Sequence, residues 1–209
     1  MSIFDRIVLL LTGLVLIYMI WYFIKRQKSP ETAGTFNLYY IVSFLVFLVA
    51  GLLLIAFGWD ALGHPFVAVV AGLIPFGLAI GLIAQFYPDN EKKFLWFFIV
   101  GLILIAIYKF ALPDATWGKV IYPIFHAVGG LTIFLVPIFV VKGEKVPGAF
   151  VNVTIGGALI GLGGIALAFL TAGSQLLFFS QEFVLAILSP LLFLTALFFA
   201  LGFVKGESG

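Results

Sequence analysis

Seven apolar segments, each long enough to cross a membrane, are separated by short connections that carry almost all of the charge. They occupy residues 7–24, 38–58, 65–86, 94–112, 120–141, 150–171 and 183–204. An α-helix needs about 20 apolar residues to cross the hydrocarbon core, where it satisfies its own backbone hydrogen bonds. The sequence therefore predicts an all-α integral membrane protein, a single seven-helix transmembrane domain spanning residues 1–209.

Composition supports this prediction and excludes several kinds of site. Of the 209 residues, 64% are apolar and 10% are charged, which leaves too little polar surface to cover a soluble domain. The chain has no cysteine, so disulfides, thiolate metal ligands and thiol nucleophiles are excluded. The net charge of +2 comes from basic residues beside the span ends, and we expect a lipid bilayer and no nucleic acid as the partner.

The basic residues predict an orientation, because Lys and Arg are enriched on the cytoplasmic side of membrane proteins. One side collects eight of the eleven: Lys25, Arg26, Lys28, Lys92, Lys93, Lys142, Lys145 and Lys205. The other side has Arg6, Lys109 and Lys119. We therefore expect a multi-pass protein of the cell membrane, with the N-terminus outside and the C-terminus cytoplasmic.

Glycines mark a predicted packing face on the sixth segment. Gly157 and Gly161 form a GxxxG pair, and Gly164 extends the same face. Missing side chains let helices approach closely, which matters in lipid because association there depends on packing. We expect this face to contact another helix of the same chain, with a dedicated dimer interface as the alternative.

Ionisable and polar groups gather toward the predicted outer side and define a candidate outward polar site. Its members are Asp60, His64, Lys109, Asp114, Tyr122, His126 and Glu182. His126 lies about six residues, or roughly 9 Å, into its span, and ionisable groups at such depth suggest function. The simplest alternative for His126 is a buried neutral imidazole that is hydrogen-bonded to a hydroxyl or carbonyl group.

The two histidines also suggest cofactor sites. Imidazoles from two helices can ligate a b-type haem axially, with His64 and His126 as the cofactor-binding residues. However, when the depths of the two histidines are counted from the cytoplasmic ends of their spans, they differ by about 13 Å. Both axial ligands must reach one iron, so this difference disfavours the haem site. A divalent metal held by these histidines with Asp60 and Asp114 is a further alternative, although no metal-binding spacing supports it.

The polar residues deeper in the spans are uncharged. The sequence shows no set of acid–base or nucleophilic residues that would predict an enzyme. We therefore expect a non-catalytic integral membrane subunit that packs with other membrane subunits in a larger assembly. Two alternatives stay open: a small-molecule or ion transporter with its site in the outward half, and a haem-bearing electron-transfer subunit.

The predicted orientation can be tested by cysteine labelling, since the chain has no cysteine of its own. The Thr116→Cys variant should react with a membrane-impermeant thiol reagent in intact cells, because its connection is predicted to lie outside. The Lys92→Cys variant should react only after the membrane is permeabilised. The reverse pattern would overturn the orientation.

Overall fold

The computed structural model describes residues 1–171 and 180–206, except for the side chains of residues 68, 119, 166–171 and 181. Within these residues, seven helical spans are long and apolar enough to cross a membrane. They are Ile3–Lys28, Thr35–Gly63, Pro65–Phe86, Pro88–Phe110, Val120–Lys142, Gly148–Ile165 and Glu182–Gly206. The seven predicted segments and the all-helical class are confirmed.

Eight α-helices form these spans, because the third span is interrupted at Gly72. They are α1 (Ile3–Lys28), α2 (Thr35–Phe57), α3 (Pro65–Ala71), α4 (Leu73–Phe86), α5 (Glu91–Phe110), α6 (Gly118–Lys142), α7 (Val151–Thr171) and α8 (Gln181–Gly206). Helix α1 begins four residues before the predicted segment, because Ser2 and Asp5 form a capping box that satisfies its first turn.

Helices α1, α2, α4, α6, α7 and α8 pack in that order into a closed ring, and α8 returns to α1. Every residue from Ile74 to Ala84 of α4 is buried, which is the pattern of a helix enclosed by its neighbours. Helix α5 lies outside the ring against α3, α4 and α6.

Buried aromatic side chains fill one half of the ring, and we call them the aromatic core: Phe23, Tyr40, Phe44, Phe199 and Phe203. Phe203 is central, because its ring centroid lies 4.7 Å from that of Tyr40 and 5.3 Å from that of Phe23. Phe44 and Phe199 complete the group at 6.1 Å and 6.5 Å from Phe203. Such pairs add about 0.5–1.5 kcal/mol each beyond burial.

Contacts between connections define two ends of the bundle. At the lysine-rich end, Tyr39 Oη donates to Glu91 Oε1 over 2.9 Å, and the Lys145 ammonium lies 5.0 Å from the Tyr87 ring. The start of α1 and the connections around residues 58–64 and 111–117 lie at the opposite end. The lysine-rich connections that the sequence assigns to one side of the membrane therefore lie at one end of the bundle. The side of the membrane that each end faces stays a prediction.

Glycines on α7 contact both neighbouring helices. A Cβ atom added at Gly157 would lie 2.7 Å from Ile133 Cγ2 on α6, and one at Gly156 would lie 2.6 Å from Phe199 Cδ1 on α8. A Cβ atom at Gly161 would have no described heavy atom within 4 Å. The predicted face thus packs within the chain at Gly157 and again at Gly164, whose added Cβ atom would lie 2.7 Å from His126 Nε2.

Gly157→Ala and Gly161→Ala form a matched test of this packing. Gly157→Ala should destabilise the protein by about 1–3 kcal/mol, because Ile133 Cγ2 branches at Cβ and cannot swing aside. Gly161→Ala should be neutral or slightly stabilising, because alanine favours the helix and its Cβ atom would meet no described atom within 4 Å. Thermal unfolding in detergent measures both. Equal midpoints for the two variants would contradict the packing described here.

Candidate functional site

Three of the seven outward candidates meet at the opposite end of the bundle. The Lys109 ammonium lies 5.8 Å from the centroid of the Tyr122 ring, and the Tyr122 and His126 rings stack at 5.9 Å with an interplanar angle of 14°. We call Lys109, Tyr122 and His126 the Lys109 cluster. It joins the end of α5 to the start of α6.

Local structure explains why these three side chains meet. Residues four apart share a helix face, which places His126 one turn below Tyr122 on α6. Lys109 occupies the last turn of α5, and the short connection brings the Tyr108 ring to 5.8 Å from Trp117. Gly118 permits this close approach of the two helix ends, because a Cβ atom at this position would collide with the Tyr108 ring.

The polar groups of the Lys109 cluster have no hydrogen-bond partner in the described part of the chain. There, neither the Lys109 ammonium, the Tyr122 hydroxyl nor the His126 imidazole has a hydrogen bond or ion pair. His126 is half-buried, and Gly164 leaves room for its ring. The hydroxyl or carbonyl partner considered for His126 is therefore not found among the described residues.

The other four outward candidates are exposed and do not join this cluster: Asp60, His64, Asp114 and Glu182. His64 has a local role, since its Nδ1 accepts a hydrogen bond from the Phe66 backbone N–H over 3.3 Å and caps α3. The outward polar site is thus a three-residue cluster with exposed polar groups elsewhere on the same end.

The positions of the histidines do not suit axial ligation of one haem iron. Pro75 and Gly129 lie at one level, because a Cβ atom at Gly129 would be 3.5 Å from Pro75 Cβ. His64 precedes Pro75 by eleven residues and His126 precedes Gly129 by three, which separates the histidines by about 12 Å along the bundle. Within the described residues, no three His, Asp or Glu side chains are grouped to hold a metal ion.

Asp5 is a buried polar residue that sequence reasoning missed. Its Oδ1 accepts a hydrogen bond from the Ser189 hydroxyl over 2.6 Å, which joins the start of α1 to the first half of α8. Its Oδ2 accepts from the Ser2 backbone N–H over 2.8 Å and from the Ser2 hydroxyl over 2.7 Å. The Ser-x-x-Asp spacing signals the cap, but nothing in the sequence pairs Asp5 with Ser189.

The sequence matches no family model and no curated protein, and the structure matches no solved structure. The fold class and the lipid environment therefore follow from the chain's own apolar helices. Function has to be inferred from the packing of these helices and from the polar groups that they bring together.

Ser189→Ala and Thr195→Val test the contribution of the Asp5 bond, because both positions are fully buried on α8. Ser189→Ala should destabilise the protein by about 1–3 kcal/mol, since it leaves a buried carboxylate oxygen without its donor. Thr195→Val should be neutral or stabilising, because the Thr195 hydroxyl has no partner among the described residues. Chemical denaturation in detergent gives both values, and an unchanged Ser189→Ala midpoint would contradict this role.

Proposed function

We propose that this chain is a non-catalytic integral membrane subunit that packs with other membrane subunits in a larger assembly. The observation that carries the proposal is the filled interior. The aromatic core occupies the lysine-rich half of the ring, with Phe23, Phe44 and Phe203 fully buried. A bundle packed in this way supplies a rigid scaffold and leaves little room for a substrate.

Two buried hydroxyl groups between the helices support the same proposal, because each donates to a backbone carbonyl. The Thr154 hydroxyl on α7 donates to the Phe134 carbonyl on α6 over 2.9 Å. The Ser43 hydroxyl donates to the Tyr39 carbonyl over 2.9 Å. Two apolar grooves of about 170 and 160 Å³ lie among the described residues. Neither groove presents the convergent polar groups of a catalytic site.

Helix α5 forms the least enclosed span in the described part of the chain. Only 17% of its apolar stretch is buried, against 65% for the span that contains α4. Its outward side chains are large and apolar, and Trp96, Ile103 and Phe110 are each more than half exposed. Helices associate in lipid through side-chain packing, so we place the subunit contact along α5.

A transporter with its site in the outward half is the second candidate. The meeting of Lys109, Tyr122 and His126 favours it, because polar groups at membrane depth often line a transport path. The filled lysine-rich half weighs against it, since a path through the bundle would need the aromatic core to separate.

Photo-crosslinking tests the subunit proposal. A photoreactive amino acid in place of Ile103, midway along the outer face of α5, should crosslink to one defined partner chain in native membranes. The same amino acid in place of Leu14, an exposed position on α1, serves as the matched control and should give mainly lipid adducts. Mass spectrometry identifies the adducts.

Native size and flux complete this test. The solubilised protein should migrate as an assembly larger than its own mass, with the crosslinked partner present in fixed stoichiometry. A lone monomer without a crosslink at Ile103 would overturn the subunit proposal. Solute flux in vesicles containing only this chain, abolished by His126→Ala, would favour the transporter instead.

A further inference from the structure

The Lys109 cluster presents hydrogen-bond donors without acceptors at the surface of the bundle. The Lys109 ammonium in the last turn of α5 lies 5.8 Å from the centroid of the Tyr122 ring, which stacks on the His126 imidazole one turn along α6. Within the described residues, no carboxylate pairs with Lys109, and the contacts of its ammonium are with the Tyr108 and Tyr122 rings. A cation partly removed from water is stabilised by an anionic acceptor.

We propose that the Lys109 cluster binds the phosphate group of an anionic phospholipid. A phosphodiester carries one negative charge and several acceptor oxygens, which match the charge of Lys109 and the hydroxyl of Tyr122. Charge-assisted hydrogen bonds to phosphate are stronger than those between neutral groups.

The surroundings of the cluster favour a lipid over a soluble anion. Phe110 and Leu112 lie within three residues of Lys109, and they are 57% and 50% exposed. A ligand here would contact apolar side chains beside the polar ones, as an amphiphile does. Trp117 and Tyr108 lie at the same level, where aromatic residues mark the membrane interface.

The charge of Lys109 also selects among headgroups. A zwitterionic headgroup would place a quaternary ammonium close to the Lys109 ammonium, where the two positive charges repel each other. Phosphatidylglycerol has no such cation. The cluster should therefore bind phosphatidylglycerol in preference to phosphatidylcholine.

Lipid titration of the full-length protein in detergent, with bound lipid counted by native mass spectrometry, tests this proposal. Phosphatidylglycerol should bind the parent protein at lower concentration than phosphatidylcholine. Lys109→Gln should weaken phosphatidylglycerol binding about fivefold, the effect of one lysine charge at a membrane surface, while Lys109→Arg should retain it. Tyr122→Phe should weaken binding about threefold through loss of one hydrogen bond.

The matched control is Lys93→Gln, which removes an exposed lysine at the lysine-rich end and should leave the affinity unchanged. Equal affinity of the parent and Lys109→Gln for phosphatidylglycerol would overturn the proposal. Inorganic phosphate that displaces the lipid at equal concentration would assign the cluster to a soluble anion and would also overturn it. If Lys109→Gln fails to fold, the affinity of Tyr122→Phe for phosphatidylglycerol tests the proposal instead, because this variant keeps the ring contacts and removes only the hydroxyl. Unchanged affinity of Tyr122→Phe would then overturn the proposal.

Discussion

Close contact between aromatic rings around Phe203 is the interaction on which the rest of the bundle depends. Lipid tails are as apolar as the helices, so burial alone gives little driving force for association, and packing has to supply it. The Phe203 ring on α8 contacts Phe23 on α1, Tyr40 on α2, and Phe150, which precedes α7. These contacts hold the two ends of the chain together and close the ring of helices.

Large rings at the centre require small residues elsewhere, and glycines provide the space. Helix α7 lies between α6 and α8 because Gly157 admits Ile133 on one side and Gly156 admits Phe199 on the other. Gly81 of α4 admits the Tyr40 ring in the same way. Dispersion attraction falls steeply with distance. A glycine that lets two helices approach more closely therefore strengthens the contacts between them.

Local patterns predicted the spans and part of the candidate site, because hydropathy and helical spacing are properties of neighbouring residues. The stack of Tyr122 on His126 follows from their separation of four residues. The bond between Asp5 and Ser189 joins residues 184 positions apart, which no local pattern reports. Gly161 shows a related limit, since a GxxxG pair indicates a helix face but not how much of that face its neighbour covers.

Lys109, whose ammonium has no ion-pair partner among the described residues, connects the two proposals. At the lysine-rich end, the Tyr40 hydroxyl donates to Gln85 Oε1 over 2.8 Å, whereas at the opposite end Lys109 has no ion-pair partner within the described residues. Lys109 belongs to α5, which the Phe98–Phe76 stack at 4.5 Å holds against α4. A phosphate bound at Lys109 would therefore fix the end of the helix whose outer face we assign to a partner subunit. Because α5 is the least enclosed span, the headgroup would restrain the element that most lacks internal support.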